Sequence, residues 1–365
     1  MVTNDARVTL FLRRADVAPP SDHEVVVRIE AAPINPSDMG MLFASGDPQA
    51  GEATETDGLP AVSLPMSTKA LGAFAGRIGK AMPVGNEGGG TVIGAGSSSE
   101  AQALLGKVVG FLSGSAYAQF RTLSVSQCLP MPAGTDPVDA AAAFVNPLTA
   151  LSMVETMRSE GHSALVHTVG ASNLGLMLNR VCAADGVGLV SIVRTSEQVE
   201  LLRTEGGTHV CDSSAPSFIA DLTDALRATG ATIAFDAIGG GELAGTILWR
   251  MEAVAGEQTD GYSTYGSDAF KQVYIYGGLD RSPTVLRRNF GMSWSVGGWL
   301  LTPFLNKLGD EAVGGLRRRV ANEITSTFAS SYGMRLSLEQ VVDPEMLRRY
   351  AQATTGDKAL VTPQA

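Results

Sequence analysis

The segment from Ala164 to Leu202 allows few folds. An apolar run, Ala164-Leu165-Val166-His167-Thr168-Val169, enters a turn, Gly170-Ala171-Ser172-Asn173-Leu174-Gly175, and apolar residues then recur at Leu174, Met177, Leu178, Val181 and Cys182. That spacing of three and four residues makes one buried stripe on a helix. Asp185-Gly186 supplies a stop, Leu189-Val190-Ser191-Ile192-Val193 reads as a second buried strand, and Arg194 follows it. Strand, tight turn, helix and strand in this order predict a parallel βαβ unit.

The turn has a chemical use. Backbone N–H groups at the start of a helix, backed by its dipole, can approach a pyrophosphate closely when the residues are small. Gly170, Ala171, Ser172, Asn173, Leu174 and Gly175 are therefore candidate cofactor-binding residues. The glycine pattern is imperfect: Ser172 stands at the usual middle glycine, where its hydroxyl could donate to phosphate and its Cβ restricts the backbone. After the second strand, a site for NAD normally carries an acidic residue for the ribose hydroxyls, whereas Arg194 can bind an extra phosphate. The expected cofactor is NADPH; the bland alternative for Arg194 is a solvated loop charge.

Strand-like and helix-like stretches continue to alternate. Helices are expected near Glu197 to Glu205, Pro216 to Ala228 and Gly241 to Glu252, and strands at Thr208 to Cys211, Ala231 to Phe235 and Gln272 to Tyr276. This predicts a doubly wound α/β domain with a parallel sheet, whose strand ends at Ile238 and at Tyr276, Gly277 and Gly278 face the cofactor. The first 147 residues differ, with short strands between frequent Gly, Pro and Ser, and predict an irregular β-rich domain. Ser45 to Ala81 has little periodicity and reads as a long loop, a lid or interface element. Leu305 to Ile324 reads as one amphipathic helix with Arg317, Arg318 and Arg319 on a solvated face, and Gly356 to Val361 as a turn into a last strand that rejoins the N-terminal domain. The expected division is 1–147, 148–302 and a return over 303–365.

At 365 residues, with 44% hydrophobic and 18% charged residues, the chain can bury two cores. A net charge of −10 argues against nucleic acid or an anionic membrane as partner. No apolar run suits a bilayer span, and no secretory segment is evident, so a cytoplasmic location is expected. Cys128, Cys182 and Cys211 are widely spaced, as are the four histidines, so neither a disulfide framework nor a metal is expected.

The order of elements, together with Ala32-Pro33-Ile34-Asn35-Pro36-Ser37-Asp38, Val84-Gly85-Asn86-Glu87-Gly88-Gly89-Gly90 and Asn146-Pro147-Leu148-Thr149-Ala150, resembles the medium-chain dehydrogenase/reductase superfamily, in its zinc-free quinone oxidoreductase branch. The resemblance covers most of the chain, with 45–81 and 256–270 as apparent insertions. It implies a GroES-like catalytic domain beside the Rossmann domain. Asn35 and Asn86 stand where the zinc alcohol dehydrogenases of this superfamily place a cysteine and a histidine, and the structural zinc lobe is missing too. Without a Lewis acid simple alcohol oxidation is not expected, and the resemblance implies hydride transfer from NADPH to an acceptor whose own conjugation spreads the charge.

The resemblance further implies that Asn35 lies near the nicotinamide ribose or substrate carbonyl, and Asn146 and Thr149 near the nicotinamide. Tyr117, in Gly114-Ser115-Ala116-Tyr117-Ala118, is a candidate catalytic donor, though such a tyrosine is more often structural. Thr195, Gln198 and Ser213 are candidates to join Arg194 around the adenosine phosphate. The expected substrate is a small, electron-poor quinone or enone, and the expected assembly is a homodimer or homotetramer. An enoyl-thioester reductase is the second enzyme reading, weakened because Met39-Gly40-Met41-Leu42-Phe43 lacks the tyrosine of those relatives. An NADPH-binding protein without useful catalysis is the non-enzyme reading.

Overall fold

The computed structural model describes residues 1–257, 263–352, 356 and 358–365. The loop expected over 256–270 and the turn at Gly356-Asp357 fall partly outside these. The chain divides into two compact units, Met1–Val145 with Arg317–Ala365, and Asn146–Leu316. Among the described residues no helix is long and apolar enough to cross a membrane.

The second unit holds a six-stranded parallel sheet in the order His209–Asp212, Gly188–Val193, Ala164–Thr168, Ile233–Asp236, Lys271–Ile275, Trp294–Gly298. In chain order that is 3-2-1-4-5-6, so the sequence of connections reverses between Ala164–Thr168 and Ile233–Asp236, where a doubly wound sheet opens a crevice at its carboxyl edge. Val166, Ala234 and Val273 pack with the helices Phe218–Thr229 and Leu243–Glu257 into one core. Elsewhere in the unit, Phe235 meets Tyr274 and Trp299, and the Trp299 indole donates to Thr156 on the helix Val145–Ser159. The sixth strand, Trp294–Gly298, lies in an apolar stretch that the sequence reading left unassigned. The single helix expected over Leu305 to Ile324 is two, Leu301–Leu308 and Asp310–Asn322, because Gly309 sits between them at φ +86° and stops the first.

The first unit is β-rich and mainly antiparallel. Its long strand Glu24–Pro33 pairs with Glu87–Ala95, Phe120–Ser124 and the last strand, Ala359–Val361. The glycines of Glu87–Ala95 let other backbone approach: a Cβ on Gly89 would stand 2.2 Å from the Pro137 carbonyl oxygen, and one on Gly90 2.1 Å from that of Arg28. Ser45 to Ala81 is not a long loop. It carries a hairpin, Glu52–Thr56 and Leu59–Pro65, which extends the strand Arg7–Phe11, and then a helix, Thr68–Ala73. The hairpin closes on Asp57 and Gly58, with φ +52° and +70°, as a two-residue turn requires. Arg317 also departs from a plain solvated face: its guanidinium lies 5.4 Å from the Phe144 ring centre and donates to the Ser126 carbonyl.

Candidate functional site

In the parallel unit, Ala164–Thr168 runs into Val169, a β-branched residue held at φ +59°. Gly170 then returns toward the neighbouring strand, its N–H donating to the Ile192 carbonyl. Ser172 caps the helix Asn173–Asp185, accepting from the Gly175 N–H at 3.1 Å. Its hydroxyl hydrogen is still available to an anion, so the serine serves helix and ligand together. A Cβ on Gly175 would stand 2.1 Å from the Gly170 carbonyl oxygen, and one on Gly170 2.9 Å from the Ser191 Cβ, so both glycines answer to close packing. Among the described residues, the N–H groups of Ala171 and Leu174 find no acceptor within the protein. Together with the helix dipole they form an anion-binding end.

Beyond Gly188–Val193, Arg194 is exposed and makes no ion pair among the described residues. Its neighbours are engaged locally. Thr195 caps the helix Ser196–Thr204 by accepting from the Gln198 N–H, the Gln198 amide oxygen accepts from the Arg194 N–H, and the Ser213 hydroxyl donates to the Val193 carbonyl. The arrangement fixes where Arg194 leaves the backbone and keeps its guanidinium in solvent.

At the point where the sheet reverses, Thr168 donates to Asp236 at 2.9 Å and accepts from the Ala237 N–H. The Asp236 carboxylate also accepts from the Ile238 and Gly239 N–H groups, while the Ile238 carbonyl accepts from Asp280. The Ile238 N–H is thus engaged within the protein, leaving its side chain and the second lone pair of its carbonyl to a ligand. The Tyr276 N–H bonds the Asp236 carbonyl, and a Cβ on Gly277 would stand 2.5 Å from the Ala237 oxygen; Gly278 faces open space. Asn146 and Thr149 are buried in the first turns of Val145–Ser159. Sequence reasoning reached the strand end Asp236-Ala237-Ile238-Gly239 as cofactor-facing but missed Thr168 and His167, whose signal was polar side chains inside an otherwise apolar strand.

The antiparallel unit buries a charged cluster. Asn35 precedes the helix Pro36–Phe43, and its N–H donates to Asp38, whose other oxygen accepts from the Asn86 N–H, both at 2.8 Å. The Asn35 amide nitrogen donates to Glu87 at 2.8 Å, and the second Glu87 oxygen accepts from the N–H groups of Phe144 and Val145. Because a carboxylate can only accept here, the Asn35 amide nitrogen must face Glu87, which leaves Oδ1 buried and, among the described residues, without a partner. Burial pushes Asp38 up to about 6, with the N–H groups of Asn35 and Asn86 opposing. Burial raises Glu87 as well, against Lys358 and its three donors. Lys358, just before the last strand, has its own pKa lowered by burial, with both carboxylates opposing.

Asn86 turns its amide to Ser37. Tyr117 packs over Gly85, and its hydroxyl donates to the Pro33 carbonyl at 3.2 Å, an anchoring contact for the candidate donor. Among the described residues no group of three or more His, Cys, Asp or Glu is placed to hold a metal ion.

No protein-family model and no curated protein matches the chain. Solved structures do. A candidate NADPH:quinone reductase from Mesorhizobium loti is 25% identical, with 95% of this chain and 89% of that one covered at a TM-score of 0.69. Another from Bacillus thuringiensis is 19% identical, with 95% and 92% covered and a TM-score of 0.69. The quinone oxidoreductase of Escherichia coli, solved with NADPH, is 17% identical, with 96% and 95% covered at 0.65. These matches establish the fold: a parallel Rossmann sheet with an antiparallel β-rich domain, matched over nearly the full chain.

Proposed function

With the fold of the quinone reductases matched over nearly its whole length as premise, we propose that this chain is an NADPH-dependent reductase. It passes hydride to a quinone or α,β-unsaturated carbonyl without a metal. The observation that carries this reading is the turn after the central strand: free N–H groups at Ala171 and Leu174, the Ser172 hydroxyl, and an exposed Arg194 after the next strand. The N–H groups and Ser172 would hold the pyrophosphate, and Arg194 the extra phosphate. Bound NADPH would supply the hydride. The protein contributes binding and orientation, and a conjugated acceptor needs no Lewis acid to spread the incoming charge.

The test is purified protein with NADPH and a panel of quinones and enones, following loss of the reduced-nicotinamide absorbance. No turnover on any conjugated acceptor overturns the enzyme reading. Tight NADPH binding with an inert panel would favour a binding protein, and preference for crotonyl thioester a thioester reductase. Arg194→Ala should weaken NADPH by about 10-fold while NADH changes about 2-fold or less, since only NADPH carries the extra phosphate. Equal loss for both would return Arg194 to a solvated charge.

A further inference from the structure

The central strand Ala164–Thr168 buries a histidine that the reading above does not use. His167 is fully buried, and its Nε2 lies 2.8 Å from the hydroxyl of Tyr276, with the two rings stacked at 5.9 Å. Tyr276 directly follows the strand Lys271–Ile275, so the pair stands at the carboxyl edge of the sheet, beside the reversal point between Ala164–Thr168 and Ile233–Asp236. Burial lowers the imidazole pKa to about 3, so the ring is neutral at ordinary pH and only one nitrogen carries hydrogen.

The surroundings decide which nitrogen that is. Among the described residues Nδ1 has no partner. A buried N–H without an acceptor costs more than a buried lone pair without a donor. The hydrogen therefore belongs on Nε2, where it is donated to the Tyr276 oxygen. That turns the tyrosine's own hydrogen away from the histidine, and it has no other acceptor among the described residues. Asp236, the carboxylate whose charge bears on Tyr276, accepts instead from Thr168, Ile238 and Gly239, and among the described residues the tyrosine makes no hydrogen bond to it.

We propose that Tyr276 donates a hydrogen bond to a ligand carbonyl oxygen at the carboxyl edge of the sheet, with His167 as its positioning residue. The identity of the ligand rests on the reductase reading. Two sources present the same chemistry there: the carboxamide of the nicotinamide and the carbonyl of the acceptor.

The first measurement does not depend on activity. With four histidines in the chain, 15N NMR of labelled protein, with His167→Gln for assignment, reads the tautomer directly. Hydrogen on Nε2 and a bare Nδ1 are expected, and hydrogen on Nδ1 overturns the proposal. The second is Tyr276→Phe, which keeps the ring and removes the donor. A loss of about 10-fold or more is expected, in NADPH affinity if the carboxamide is bound, or in kcat/KM for the acceptor at unchanged NADPH affinity if the substrate is. His167→Gln, whose amide can still donate to the tyrosine, should stay within a few-fold of wild type. His167→Met should reproduce the Tyr276→Phe loss, and the double variant should be no worse than Tyr276→Phe alone. A Tyr276→Phe protein within about 2-fold of wild type in both NADPH affinity and kcat/KM overturns the donor role. If the wild type neither binds NADPH nor reduces any acceptor, it is the reductase reading that falls, and the tautomer alone judges the pair.

Discussion

In the antiparallel unit the polar groups buried around Asn35 are charged: two carboxylates, Asp38 and Glu87, and the Lys358 ammonium. At the carboxyl edge of the parallel sheet the pair is neutral, buried His167 with half-buried Tyr276, and the nearby Asp236 accepts from fixed donors. Charges taken out of water need several fixed partners, so the first cluster pins backbone from three separate segments, at Asn35, Asn86 and Phe144-Val145. A neutral pair needs fewer partners and can leave one hydrogen for a ligand. Buried polarity thus yields a rigid joint in one unit and, on the proposal above, a donor in the other.

The largest expected effect tests the rigid joint. Glu87→Ala strands two backbone N–H groups, the Asn35 amide and Lys358, and should cost about 3–5 kcal/mol in urea unfolding of the first unit. A cost under about 1 kcal/mol would show that the cluster is not a structural joint. The packing of the phosphate turn comes next. Gly175→Ala places a Cβ against the Gly170 oxygen and should cost about 1–3 kcal/mol while displacing the turn, so NADPH binding should fall as well. Unchanged binding in titration would separate the turn from the nucleotide.

The two regions should also respond to pH with opposite sign. Asp38 rises from 3.8 to about 6 in the folded chain, so the native state binds that proton more tightly than the unfolded one. Its contribution is fully present below about pH 4 and is lost as pH rises to about 6. His167 falls from 6.5 to about 3, so its contribution is present above pH 6.5 and is lost as pH falls toward 3. Each slope is at most about 1.4 kcal/mol per pH unit. Hydrogen exchange resolved by unit between pH 4 and 6 should show the His167 strand gaining protection with rising pH, and the Asp38 helix losing it. His167→Gln should flatten the first trend alone, and parallel trends in both units would dissolve the contrast.

The parallel unit was the more legible in sequence. Its strands are apolar runs, its helices carry single apolar stripes, and stops such as Gly186, left-handed at φ +65°, are local signals. The sixth strand, Trp294–Gly298, escaped because glycines broke its pattern, and one helix was read through Gly309 because apolar periodicity resumes on the far side. In the antiparallel unit the Glu52–Pro65 hairpin hid behind Thr, Gly and Pro, although Asp57-Gly58 is itself a hairpin signal. Of the site, the phosphate turn and Arg194 could be read from spacing. Glu87, Asp38 and Lys358 come together only through pairing of strands far apart in the chain, and spacing along one segment carries no trace of that.

The smallest effect concerns Val169, where the sequence offers a β-branched residue and the backbone demands φ +59°. A left-handed β-branched residue is strained by about 1–3 kcal/mol, so Val169→Gly relieves strain, while the added freedom of glycine in the unfolded chain takes back about 1 kcal/mol. The side chain is only half-buried, which keeps the loss of apolar contact small. The net expectation is a gain near 1 kcal/mol in unfolding free energy, together with weaker NADPH binding, because a relaxed turn no longer holds the Ala171 and Leu174 N–H groups in place before the ligand arrives. Thermal unfolding and an NADPH titration on one variant decide the point: a gain in stability with full affinity would mean that the strained valine does not organise the turn.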